Sequence, residues 1–385
     1  AQLNEPYIIR DVRGMAAWIY PFRYNPVTQT LRVYSEVVVK VFSTDAKAEN
    51  ILKDSQKPKT QDALFAEIYR RHFINGNNAK YTPLEENGKM LIISYSDFTG
   101  YMQPLADWRR KTGHPTEIVD VATIGASSSA IKDYIANYYN TQGLTYVLLV
   151  GDAAQVPPSY SNGDSDNDYA YITGSDHYPE LFIGRFSAED TDQVMTMVTR
   201  TIDYEKTPFS GSDWHKHNIG IGSNQGPGDD NEYDYEHIRN IQQVLEGYTY
   251  TVSEELFDGS QGGDDEPGNP TPSMVATDIE NGASLINYVG HGSTTSWSTS
   301  GFSNSDVNNL TNTDLLPYII SVACVNGNFV NTTCFAEAWI RATHNNNPSG
   351  AVAIVASTIN QDWNEPQREC RSWHPVLPSV RSSPG

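Results

Sequence analysis

A chain of 385 residues is long enough for two or three folding units with a large buried core. Its three cysteines, Cys324, Cys334 and Cys370, cannot all pair within one chain, so a disulfide framework is excluded and at least one thiol is free. The formal net charge of -21 excludes a nucleic-acid partner, which needs a basic footprint to neutralise phosphates, and no apolar run reaches the roughly 18 residues of a transmembrane segment.

The chain opens on Ala1 rather than Met and shows no signal peptide, so an upstream segment is expected to be missing. From Trp18 through Phe42 the text is β in character. An aromatic run and a turn at Asn25-Pro26 lead into alternation of Leu31, Val33, Val37, Val39 and Val41 against Arg32, Glu36 and Lys40. A polar stretch follows, then a short helix candidate over Asp62 to Phe73 and the loop NGNNAK, residues 75 to 80. Such an exposed loop between two units is where a processing enzyme cuts.

Beyond Tyr81 the pattern is regular α/β. Strands are expected at Met90 to Ser94, Glu117 to Val121, Tyr146 to Val150, Asn218 to Gly222, Ala283 to Val289, Tyr318 to Val322 and Ala351 to Val355, with helical text between most of them. Their continuous apolar character implies an open sheet covered on both faces by helices. Gly151-Asp152, Ser223-Asn224, Gly290-His291 and Cys324 all follow directly after a strand. In open α/β sheets that is where ligands bind.

His291 and Cys324 carry the chemistry. A lone strand-end histidine is more often structural than catalytic, and a free cysteine is often a small buried hydrophobe. Together, at the ends of neighbouring strands, they supply a base and a nucleophile for covalent attack on a carbonyl. Gly290 and Gly292 let the backbone turn tightly and leave the imidazole uncovered.

The stretches LINYVGHGSTTSW, PYIISVACVNGNF, CFAEAWIRA and AVAIVASTINQDW, with YTPLEENGKM, TYVLLVGD and HYPELFIGRFS before them, closely resemble gingipain-type cysteine peptidases, above all the arginine-specific ones. The resemblance runs from Tyr81 to about Trp363. It implies a caspase-like α/β catalytic fold, a Cys324–His291 dyad, an oxyanion hole made by the backbone amides of Gly292 and Cys324, and cleavage of proteins or peptides after a basic residue. It also implies Asp234, in YDYEHIRN, as the acidic floor of the primary specificity (S1) pocket, and Trp363 as the ring lying over it. Arg is the preferred P1 residue because its fork matches a carboxylate, and Lys stays possible. The sequence departs from its relatives where they carry a glutamate to orient the histidine, since the nearest match is Gln225; Asp229 or Asp230 are the alternatives.

Residues 1–80 resemble the C-terminal part of a gingipain prodomain and its linker. That implies a zymogen-like form secreted to, or held at, the outer surface of a bacterium, with its own prodomain as inhibitor and a processing junction at Lys80-Tyr81. The prodomain is expected to set a basic residue opposite Asp234, either one of Arg10, Arg13, Arg23, Arg32, Lys40, Arg70 and Arg71, which the sequence does not rank, or one in the part expected upstream of Ala1. The catalytic domain is expected over 81–363, incomplete at its C-terminus, with an unmatched tail over 364–385 in which Pro and Ser breakers replace a helix. No cofactor is expected for catalysis. The acid-rich loops at Asn162 to Asp168, Asp176 to Glu180, Asp229 to Asp234 and Gly262 to Glu266 have no EF-hand order; family members bind structural calcium, so such sites are expected here without being located. The metal ligands are therefore unknown. The alternative function is that of an inactive, truncated homologue acting as a protein-binding module.

Overall fold

The computed structural model describes residues 2–42, 48–53, 61–76, 85–160 and 162–373. Nine strands build two separate, wholly parallel sheets. The first contains β1 (Met90–Ser94), β2 (Thr116–Asp120), β3 (Tyr146–Val150) and β4 (Phe182–Phe186) in the order β2-β1-β3-β4. The second contains β5 (His217–Gly222), β6 (Val252–Phe257), β7 (Leu285–Val289), β8 (Tyr318–Val322) and β9 (Ala353–Ala356) in the order β6-β5-β7-β8-β9.

The side chains alternate as a doubly covered sheet demands. In the first sheet Leu91, Ile93, Val147 and Leu149 enter one core while Ile92, Leu148 and Val150 enter the other. In the second, Ile219, Ile221, Ile286, Tyr288 and Ile319 face one core, and Leu285 and Ile320 the other. Two strands, β4 and β6, were not expected from the sequence. Each lies at the edge of its sheet, where Arg185, Glu254 and Glu255 are tolerated and break the apolar run that would announce a strand.

Helices connect and cover the sheets: α1 (Ala63–His72) precedes them, and α2 (Gln103–Lys111), α3 (Ser128–Gln142), α4 (Thr191–Lys206), α5 (Asp234–Glu246), α6 (Pro272–Asn281), α7 (Phe335–Arg341) and α8 (Asn364–Trp373) follow. Charged ties join the two sheets. Arg200 of α4, 2% exposed, donates to the carbonyls of Ala342 (2.9 Å) and Ser349 (2.7 Å). Arg341 of α7 donates to the Ser187 carbonyl at 2.8 Å, and Glu337 accepts from Ser187 Oγ at 2.6 Å.

The N-terminal segment is a set of short antiparallel pairs, the longest joining Phe22–Asn25 to Thr30–Val33, followed by α1. Asp62 caps that helix by accepting from the Leu64 and Phe65 amides. The alternation expected to continue through Val37, Val39 and Val41 forms no strand. These residues are exposed, and no partner strand stands beside them among the described residues. Arg10 anchors the segment on the first sheet: its Nη1 donates to the carbonyls of Leu144 (2.7 Å) and Glu180 (2.8 Å), and its guanidinium lies 4.8 Å from the Phe65 ring centroid. Leu144 and Glu180 precede β3 and β4, so this contact is at the amino end of the strands.

Candidate active site

In the second sheet β7 and β8 run in register, with Val289 opposite Val322, so His291 and Cys324 leave adjacent strand ends at the same level. Each loop is fixed from below. Tyr288 Oη donates to the His291 carbonyl at 2.5 Å, and its ring stacks on Trp297 with centroids 4.7 Å apart. After Cys324 the chain turns through Val325, a β-branched residue held at φ 49°, whose amide donates to the Ile359 carbonyl at 3.1 Å. A left-handed valine is strained, and here it places the thiol at the apex of a sharp turn.

The two loops are bolted together by Asn326, which sequence reasoning missed. It is fully buried; its Nδ2 donates to the carbonyls of Ser293 (2.6 Å) and Ser296 (3.1 Å), and its Oδ1 accepts from Ser321 Oγ (2.8 Å). Gly292 has no room for a side chain, since a Cβ there would stand 2.8 Å from Ala323 Cβ and 2.9 Å from the Cys324 carbonyl oxygen. The Gly292 backbone therefore lies directly against the nucleophile loop.

His291 is exposed, and its Nε2 lies 3.0 Å from Gln225 Oε1. An amide oxygen only accepts, so Nε2 carries the proton and Nδ1 is left to exchange a proton elsewhere. Gln225 also reaches Asp234, whose amide donates to its backbone carbonyl at 2.9 Å.

One segment, Ile359 to Gln367, touches each of these groups in turn. The Gln361 amide donates to Cys324 Sγ at 3.4 Å, the Trp363 ring lies 5.1 Å from that of His291, and Gln367 Nε2 donates to Asp234 Oδ1 at 2.7 Å. Gln367 lies on α8, which continues through Trp373 where breakers were expected; Pro366 sits near its start, where a missing N–H costs nothing, and the next proline is Pro375. Residues 374–385 lie outside the described residues.

Asp234 opens α5 and is fully buried, with Ser223 Oγ donating to its Oδ2 at 2.5 Å. Burial pushes its carboxyl up to about 6, against the pull of the Ser223 and Gln367 hydrogen bonds. Four of the basic residues expected opposite it bond elsewhere. Arg10 is spent on the first sheet, Arg13 donates to the carbonyls of Glu49 and Asn50, and Arg70 and Arg71 pair with Glu67. Asp152, also at a strand end, stays outside the site and pairs with Arg341 at 3.4 Å.

Cys334 is buried at the start of α7, and burial pushes its thiol far above the usual range, whereas Cys324 is only half-buried. Lys80 and Tyr81 lie outside the described residues. Among the described residues no three His, Cys, Asp or Glu converge to hold a metal. Several loop carboxylates are already engaged: Asp166 with Arg185, Asp168 with Lys132 and Ser159, and Asp265 with the Phe257 and Gln261 amides.

Comparison with known proteins agrees with this geometry. The model of Peptidase family C25 matches residues 83–370, and the family's propeptide model, Propeptide_C25, matches residues 1–73. Gingipain R1 of Porphyromonas gingivalis is 41% identical over 378 residues, which cover 96% of this chain but 37% of that protein. The chain thus spans well under half the length of this relative. A solved structure described as the complex of Porphyromonas gingivalis RgpB pro- and mature domains superposes with a TM-score of 0.70 at 38% identity, covering 74% of this chain and 67% of that one. Another, of the Arg specific cysteine proteinase gingipain R (RGPB), gives a TM-score of 0.70 at 39% identity over 75% of this chain and 67% of its own. The two sheets with their flanking helices are therefore the caspase-like fold expected from the resemblance, and the chain belongs to Peptidase family C25, the gingipain family, with a propeptide region ahead of that fold.

Proposed function

We propose that this chain is a cysteine endopeptidase that cleaves protein or peptide substrates after a basic residue, Arg or Lys, in a zymogen-like form exported to the outside of a bacterial cell. The observation that carries this reading is the double role of Gln225, whose side chain holds His291 while its carbonyl holds the amide of Asp234. A base and a buried acid are thereby tied together at the strand ends, next to the strand that leads into Cys324.

In the proposed reaction Cys324 attacks the scissile carbonyl as a thiolate, steadied by the Gln361 amide. His291 takes the thiol proton on Nδ1 and passes it to the departing amine. Water then hydrolyses the acyl-enzyme, with His291 as base. The amides of Gly292 and Cys324 are the proposed donors to the oxyanion, and the contact of Gly292 with the Cys324 backbone supports the pair. Gln225 keeps the imidazole in the working tautomer but brings no charge. Asp234 receives the P1 cation, and Trp363 covers its alkyl stem. Cys324→Ala should abolish cleavage while the protein stays folded, and a basic thiol-reactive probe should label Cys324 alone in the cut wild-type protein. A folded, cut protein that takes no label would instead favour a binding module.

The N-terminal segment is proposed to restrain the enzyme until the chain is cut at Lys80-Tyr81. Its docking on the first sheet and the printed description of a relative's pro- and mature domains as a complex support this. N-terminal sequencing of the activated protein should read Tyr81-Thr82-Pro83, and cutting should raise activity at least about tenfold. Structural calcium in the acid-rich loops is part of the same proposal, supported by their carboxylates and carbonyls. EDTA should then lower the melting temperature and added calcium restore it.

A further inference from the structure

Asp234 does not present an open carboxylate. Ser223 Oγ donates to Oδ2 at 2.5 Å and Gln367 Nε2 donates to Oδ1 at 2.7 Å, so each oxygen already carries a neutral donor. Both donors are held firmly. Ser223 directly follows β5, and there its amide donates to the Val289 carbonyl (3.0 Å) and its carbonyl accepts from the Tyr235 amide (3.1 Å). Gln367 is 1% exposed and packs so closely on Gly228 that a Cβ there would lie 2.1 Å from its Oε1.

Arginine owes its advantage over lysine at a carboxylate to a planar fork that takes both oxygens at once. An ammonium is a compact charge with three rotatable donors and needs only one oxygen. One donor fixed on each oxygen leaves a single acceptor site on each, which constrains a fork that must meet both oxygens more than an ammonium that needs only one. Resting on the reading of Asp234 as the floor of the S1 pocket, we propose that Gln367 is a specificity-determining residue that holds Oδ1 of Asp234 and so narrows the preference for Arg over Lys, making the pocket one for basic residues of both kinds. The lysine at the proposed junction, Lys80, is of the class such a pocket accepts.

The test is the ratio of kcat/KM on two peptides that differ only in Arg or Lys at P1, measured on the cut wild-type enzyme, on Gln367→Met and on Asp234→Asn. Methionine keeps the length and packing of glutamine but has no N–H, so it releases Oδ1 to a second guanidinium hydrogen bond. A ratio taken on one preparation is independent of how much of it is folded, and Gln367→Leu repeats the test should the Met variant not fold. The Arg/Lys ratio should rise about tenfold in Gln367→Met, the gain expected of one added charge-assisted hydrogen bond. A ratio within about threefold of wild type, smaller than such a bond supplies, overturns the inference if Asp234→Asn still loses basic-P1 peptides far more than neutral-P1 ones. If wild type cleaves neither basic peptide, or Asp234→Asn loses basic and neutral peptides equally, the pocket reading itself fails and takes the inference with it.

Discussion

Gly151-Asp152 follows β3 in the first sheet and Gly290-His291 follows β7 in the second, and in sequence the two look alike: an apolar strand, a glycine and a polar side chain. In space they differ completely. Asp152 is spent on Arg341, as part of the charged tie that holds one sheet to the other, while His291 stays exposed and takes Gln225 as its partner. The first sheet is also the one that receives the N-terminal segment, at the amino ends of its strands through Arg10. One sheet thus serves as a support and the other carries the candidate site. A polar residue at a strand end marks a place where chemistry can happen; its neighbours from other elements decide whether it does.

The sharpest way to break this contrast is to exchange the two residues for alanine. His291→Ala should lower kcat/KM at least about a thousandfold through loss of the proposed general acid and base. Asp152→Ala should leave kcat/KM within about twofold but lower the melting temperature by a few degrees, since it strips one partner from a largely buried charge pair. Equal catalytic losses from both would erase the distinction between the sheets.

Next in size is Asp234→Asn, which should cut kcat/KM on basic-P1 peptides by about a hundredfold relative to neutral-P1 peptides. The same side chain has a pH signature. Its folded carboxyl titrates at about 6, above the roughly 3.9 of an unfolded aspartate, so the folded state holds the proton more tightly. Its contribution to stability is therefore complete below the unfolded value and is lost as pH rises through about 6. The melting temperature of wild type should fall relative to that of Asp234→Asn over this interval. Binding of benzamidine, a small guanidinium mimic, should tighten over the same interval as the carboxylate ionises. A mimic whose affinity does not change there would remove Asp234 from the pocket.

A smaller catalytic loss is expected at Gln225. Its amide orients His291 without adding charge, so Gln225→Ala should lower kcat by about tenfold and leave KM nearly unchanged, as loss of orientation does. A change in KM alone would make Gln225 a substrate contact instead.

Most of the scaffold was legible because its central strands are continuous apolar runs. Met90–Ser94, Tyr146–Val150 and Tyr318–Val322 stand where the sequence placed them. The edge strands β4 and β6 were not legible, since one open side lets charged residues interrupt the pattern. At the candidate site, His291 and Cys324 could be proposed from the residues alone, whereas Gln225, Asp234 and Trp363 were expected only through the family resemblance. Asn326 and Gln367 could be read from neither. Both are polar residues whose importance lies wholly in burial against a partner far along the chain, and Gln367 stood in a stretch that read as a tail.

Sequence alone determined the local facts: which runs are apolar enough to be inner strands, which glycines permit a tight turn, and that a histidine and a cysteine follow two such strands. These depend on the chemistry of neighbouring residues and survive in one dimension. Only the tertiary structure decided that the strands divide into two sheets, that Arg10 grips the first of them instead of Asp234, and that Ile359 to Gln367 passes Cys324, His291 and Asp234 in order. Those outcomes turn on which buried polar groups find partners over long separations. An unpaired donor or acceptor in the interior costs far more than a paired one contributes, and the pairing is settled only when the chain has closed.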